Sequence, residues 1–274
     1  MKTTAYVFVG VLVLVALAVG AWFWWHTPAG LPAPEAAPVA AAPAPSPVAP
    51  VASSPGIRHP IEAPVSTGTV VAPVGVEAEL TNLFGRKSVL AMFELEDFPR
   101  RVVATVDNLG RERAPARLWP VHPTEGRLTV EQQGDDVVIG SDNGLRYTPF
   151  VLLVETVDMR QVVAAYTRLY TVFQQAYEDL GFPRGYFNDR LVEVIDLLLA
   201  TPDVNVPVKV HLPAVNGPFQ PKRPWLLYEF DDPALETLTA GQKILLRMGP
   251  LNEHRMKAKL AEIRGLLARP APAR

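Results

Sequence analysis

Residues 158–180 read DMRQVVAAYTRLYTVFQQAYEDL. Met159, Val162, Val163, Tyr166, Leu169, Tyr170, Phe173, Tyr177 and Leu180 recur at steps of three and four, so a helix over this stretch has one apolar face to bury. Asp158 followed by Gln161 has the form of a capping box, and Gly181 supplies the left-handed residue that ends a helix. A second helix is expected from Asn188 as its cap, burying Leu191, Val194, Ile195 and Leu198 before Thr201-Pro202 stops it.

Upstream, Leu80–Phe93 and Phe98–Leu109 read as two more helices, the second with Asp97 as cap and Pro99 in its first turn. Residues 128–132 and Val137-Val138-Ile139 predict a hairpin around Gln133-Gly134-Asp135-Asp136, and residues 208–212 and 225–230 predict short strands. Asp232-Pro233 opens a helical turn, Thr239 and Gln242 form a second capping box, and Gly249-Pro250 breaks the chain before a last helix carrying Met256, Leu260, Ile263 and Leu267. The expected fold class is α+β, a mainly helical globular domain with a small hairpin and short strands. No internal repeat recurs at a fixed period.

The two ends differ from this middle. Ala5–Trp25 carries no charge, and at about 1.5 Å per residue these positions span about 30 Å as a helix. Trp22-Phe23-Trp24-Trp25 suits the headgroup interface. A cleaved secretory signal is the alternative, helped by small residues after Leu31, but its apolar core is usually shorter, about 7–15 residues. The expected organisation is a transmembrane signal anchor at 1–27, a disordered Pro/Ala-rich tether at 28–76, a globular domain at 77–269 and a tail at 270–274. Lys2 before the span favours a cytoplasmic N-terminus, which places the domain in the periplasm of a single-pass inner-membrane protein. Extended at about 3.1 Å per residue, the tether reaches on the order of 100–150 Å.

The chain has 274 residues, 49% hydrophobic and 20% charged, with a net charge of −2 and no cysteine. That balance excludes a wholly disordered chain and a strongly basic nucleic-acid binder. Missing thiols remove disulfides, thiolate catalysis and Cys-ligated metals. The five histidines, at 26, 59, 122, 211 and 254, share no ligand spacing, so neither metal nor cofactor is expected. Ser141-Asp142-Asn143 matches one element of penicillin-interacting serine enzymes, yet the companion S-x-x-K and K-T-G are absent; Asn143-Gly144 reads as a turn whose residues accept positive φ.

Two basic stretches remain. Arg100, Arg101, Arg111, Arg113 and Arg117 lead to Leu118-Trp119-Pro120, and Arg255, Lys257 and Lys259 lie in the tail helix. The carboxylates Glu94, Glu96 and Asp97 read first as helix-terminal charges. The tyrosines 147, 166, 170, 177 and 186 read mainly as core.

Several runs together resemble one known family. They are Leu83-Phe84-Gly85-Arg86-Lys87, Phe98-x-Arg100-Arg101-x-Val103-Ala104-Thr105-Val106-Asp107-Asn108-Leu109 and Leu118-Trp119-Pro120-Val121, then Arg146-Tyr147, Phe173-Gln174-x-Ala176-Tyr177, Tyr186-Phe187-Asn188-Asp189-Arg190 and Gly241-Gln242-Lys243-x-Leu245-Leu246-Arg247-Met248-Gly249. The chain resembles the bacterial membrane-anchored proteins of domain of unknown function 3014. The resemblance covers the whole domain and implies an anchor and a tether, but no substrate, cofactor or catalytic residue. Thr171 departs from a proline usual after Tyr170.

The favoured functional reading is a non-catalytic domain that binds another envelope component, protein or glycan. Its candidate contacts are Arg86, Arg100, Arg101, Trp119, Tyr147, Arg255, Lys257 and Lys259. Nucleic acid is not expected as a partner. The alternative is an envelope hydrolase or small-ligand sensor of a new type, with Glu94 or Asp97 working beside Arg86 or Tyr147. A shared concave site for those groups would favour it.

Overall fold

In a computed structural model of the chain, the described residues are 56–61, 73–204, 206–214 and 222–268. In chain order the helices and strands are α1 (Pro73–Phe84), α2 (Arg86–Met92), α3 (Phe98–Leu109), β1 (Val130–Gln133), β2 (Asp136–Ile139), α4 (Thr148–Thr156), α5 (Met159–Arg168), α6 (Tyr170–Asp179), α7 (Phe187–Leu199), β3 (Val210–His211), β4 (Glu229–Phe230), α8 (Pro233–Glu236), α9 (Ala240–Arg247) and α10 (Pro250–Leu267). The domain is mainly helical with two short antiparallel strand pairs, an α+β arrangement.

The stripe of 158–180 is buried as expected, but two helices share it. α5 and α6 meet at Leu169, whose φ of −93° and ψ of 3° leave the α-helical region. Just before the break, the Thr167 hydroxyl donates to the Val163 carbonyl, a back-bond that bends helices. The Asp158 carboxylate accepts the Arg160 N–H, so the cap forms, though without Gln161. Gly181, at φ 112°, ends α6.

α7 is the central helix, packing on α3, α6, α9 and α10. Its Phe187 lies in an aromatic-rich core with Phe98, Val103, Phe173 and Tyr177. Val194 and Leu198 pack with Leu245 and Met248, while Val192 and Ile195 pack with Leu267. Three apolar clusters therefore depend on one helix. At roughly 1.5–3 kcal/mol per fully buried large apolar side chain, it carries a large share of the hydrophobic stabilisation.

The reading of 80–93 as one helix is corrected by Gly85. At φ 77° and ψ 145° it occupies a region open essentially to glycine, and the chain turns there between α1 and α2. Asp97 precedes α3 but sits at φ 52°, and its carboxylate makes no capping bond. Asn143-Gly144 turns as a 3-10 segment with no positive φ at either residue. The hairpin forms around Gly134 (φ 62°), with Val130 opposite Ile139 and Gln133 opposite Asp136. Trp225 lies in a 3-10 turn, so the last strand shrinks to Glu229–Phe230, paired with Val210–His211. Asp232 caps α8, and Thr239 and Gln242 form the expected box on α9.

Asn188 is not the cap of α7, because the helix begins one residue earlier. Fully buried, it serves instead to hold residues 56–61, which fall in the stretch expected as tether. Its amide donates to the His59 carbonyl, and the Asp189 carboxylate accepts the backbone N–H groups of Arg58 and His59. The Ile61 N–H donates to the Tyr186 hydroxyl at 2.7 Å, and the Ile61 side chain joins the cluster around Val192 and Leu267. α1 likewise starts at Pro73, inside the expected tether. No helix among the described residues is long and apolar enough to cross a membrane. The expected span at 5–25 and the tail at 270–274 lie outside the described residues.

The first turn of α7 thus fastens a short strap. Replacing Asp189 with Ala removes its carboxylate acceptor. Trypsin should then cut after Arg58 several times faster while the domain's melting temperature shifts little; unchanged cleavage would show that Asp189 does not hold the strap.

Candidate functional site

On α3, Arg100, Ala104, Asp107 and Asn108 follow a spacing of four, three and one, which aligns them along one side of the helix, with Arg111 one turn further. Together with Arg101 they line an open groove of about 460 Å³. Its other walls come from Arg117 and Leu118, in a 3-10 turn, and from Leu180 and Phe182 at the end of α6. The Phe182 ring stacks on Tyr177 with centroids 4.7 Å apart, which fixes that wall.

Asp107 forms the floor and is only 5% exposed. One carboxylate oxygen accepts from Arg190 Nε at 3.1 Å, the other from Arg111 Nε at 2.8 Å. Arg190 also donates to the Asp107 carbonyl and to Glu193. A buried carboxylate is tolerated only when paired and hydrogen-bonded, and here both oxygens are used. Gly110 makes room, since a Cβ there would lie 2.9 Å from Arg190 Nη2.

The remaining arginines are arranged differently. Arg101 donates Nε to the Glu96 carbonyl at 2.8 Å and Nη1 to the Arg117 carbonyl at 2.7 Å. Carbonyls fix the guanidinium without neutralising it. Arg100 and Arg117 are exposed and have no ion-pair partner among the described residues. Asp97 stands on the rim.

The other expected contacts lie elsewhere. Trp119, half-buried, spends its indole N–H on the Ala114 carbonyl. Arg86 is exposed on α2. Tyr147 packs against Val194, Leu198, Leu245 and Met248, with Arg146 near its ring. Of Glu94, Asp97, Arg86 and Tyr147, Asp97 alone lines the groove. A second depression of about 320 Å³ lies between the strap and α7, lined by Arg58, His59, Asp189 and Glu193 among others. No group of three or more potential metal ligands gathers among the described residues.

The basic residues of α10 hold their own domain together. Lys257 pairs with Asp203 at 2.7 Å and Glu253 at 2.8 Å, and donates to the Thr201 carbonyl. Burial works against its charge, but the two carboxylates outweigh it and raise its pKa. Arg255 approaches Glu155 at 3.6 Å, and Lys259 reaches Glu262 and the Val157 carbonyl. These contacts tie α10 to α4 and to the segment after α7.

A family model described as "Protein of unknown function (DUF3014)" matches residues 98–264. The chain belongs to this family. Comparison with curated proteins and with solved structures gives no match. The DUF3014 region begins at the first residue of α3 and contains every residue lining the groove except Asp97.

Asp107 and Arg190 carried no functional reading in the sequence. The spacing of Asp107 and Arg111 is the i,i+4 signal of a helical ion pair, whereas nothing local points from Arg190 to α3. The two basic stretches now separate by experiment. Lys257→Ala leaves Glu253, 3% exposed, without its cation and should cost ~3 kcal/mol in urea unfolding. Arg100→Ala and Arg117→Ala should each change stability by less than about 0.5 kcal/mol. The reverse order would reassign which arginines and lysines are structural.

Proposed function

We propose that this chain is a single-pass inner-membrane protein with its N-terminus in the cytoplasm, presenting its DUF3014 domain on the periplasmic side. There the domain binds another envelope component, a protein or glycan, without transforming it. The uncharged stretch 5–25 and the Pro/Ala-rich residues that follow support the anchor and tether.

The observation that carries the binding role is the groove. It places Arg100, Arg101 and Arg117 around one concavity with their charges unspent. Uncompensated guanidinium groups beside an apolar wall suit recognition of an anionic group, because their fork matches carboxylate and phosphate oxygens. This moves the contact surface from α10, whose cations already have partners, to α3. Acid–base hydrolysis would need two working carboxylates, and Asp107 is engaged by two arginines, which leaves Asp97.

The test is affinity co-purification of the full-length protein from detergent-solubilised membranes, against a control of residues 1–55, which omits the strap and the whole domain. A partner captured only with the domain present, and lost when Arg100 and Arg117 are both alanine, is the expected result. Capture that persists in the double variant would take the groove out of the binding surface.

A further inference from the structure

Charge bookkeeping in the groove narrows what it can hold, on the reading that the groove is the binding surface. Asp107 and Glu193 answer Arg111 and Arg190, so that cluster is neutral. Among the residues that line the groove, Arg100, Arg101 and Arg117 then stand against the Asp97 carboxylate, a surplus of two positive charges. A single carboxylate would leave part of that surplus unmet. A phosphate monoester carries about −1.5 to −2 at neutral pH and offers three strong acceptor oxygens.

We propose that the groove binds a phosphate monoester. Arg101 is the preorganised donor. Its guanidinium has five N–H groups, of which Nε and one on Nη1 are committed to the Glu96 and Arg117 carbonyls. The others are available in an orientation already fixed, so binding costs little side-chain entropy there. Arg100, one residue away on α3, and Arg117, whose carbonyl holds Arg101, line the same concavity. Leu118, Leu180 and Phe182 form the apolar side of the groove. They accept the non-polar face of whatever carries the phosphate and reduce water competition for its oxygens. A sugar and a glycerol backbone both present such a group, and the titration below separates the two.

The probes are inorganic phosphate, a hexose phosphate and glycerol phosphate, titrated calorimetrically into the full-length protein in non-ionic detergent, with acetate as the monoanionic competitor. Phosphate should bind, and the Arg100→Ala/Arg117→Ala variant should bind it at least about tenfold more weakly with an unchanged melting temperature. Affinity should also fall as pH drops below about 6, where the dianion is protonated. The ester that binds more tightly than inorganic phosphate names the source, sugar or glycerol. Absence of phosphate binding overturns the proposal, as does equal binding by wild type and variant, or competition by acetate as strong as that of phosphate. If partner capture depends on Arg100 and Arg117 while phosphate fails to bind, the ligand class falls and the groove reading stands.

Discussion

Asp107 puts a carboxylate on the buried side of α3, where Arg190 from α7 and Arg111 from beyond the helix end close on it. Taking a carboxylate out of water costs several kcal/mol unless its oxygens are answered, so the three side chains must be placed together. Their grouping sets how α3 lies on α7. Arg190 reaches both the side chain and the carbonyl of Asp107, which fixes distance as well as direction. The approach is close: a Cβ added at Gly110 would crowd the Arg190 guanidinium and Val194. The same contact neutralises the floor of the groove and leaves the arginines above it as surplus charge.

α7 distributes its first turn between two tasks. Phe187 and Arg190 face the core and α3, while Asn188 and Asp189 hold residues 56–61. A segment outside helix and sheet, which would otherwise expose its backbone N–H groups, gains acceptors from Asp189 and Tyr186, and Ile61 adds an apolar anchor. This explains why a stretch with tether-like composition is fixed against the domain: the partners are side chains more than a hundred residues away, and composition carries no sign of them.

Much of the fold was legible where local chemistry decides it. Phe98–Leu109, the hairpin around Gly134, the box of Thr239 and Gln242 and the break at Gly249 each rest on adjacent residues, and each took its expected form. One error falls where a longer-range contact competes: Asn188 looks like a cap and is consumed by the strap. Others are local: the chain turns at Gly85, and residues 158–180 bend at Leu169, beside the Thr167 back-bond, while keeping their buried face. In the site, Arg100 and Arg101 were visible as a basic pair. Arg255, Lys257 and Lys259 looked equivalent to them, because sequence does not tell a solvated cation from one facing Glu155, Asp203 or Glu262. Arg190 was invisible as a site residue for the same reason.

The most direct test of this account is a double-mutant cycle on Asp107→Ala and Arg190→Ala, read by urea unfolding. A buried, shared charge pair predicts a coupling energy above about 1 kcal/mol between the two substitutions. Effects that add within about 0.5 kcal/mol would mean that the two side chains act independently. In that case neither the packing of α3 on α7 nor the charge balance of the groove rests on their contact.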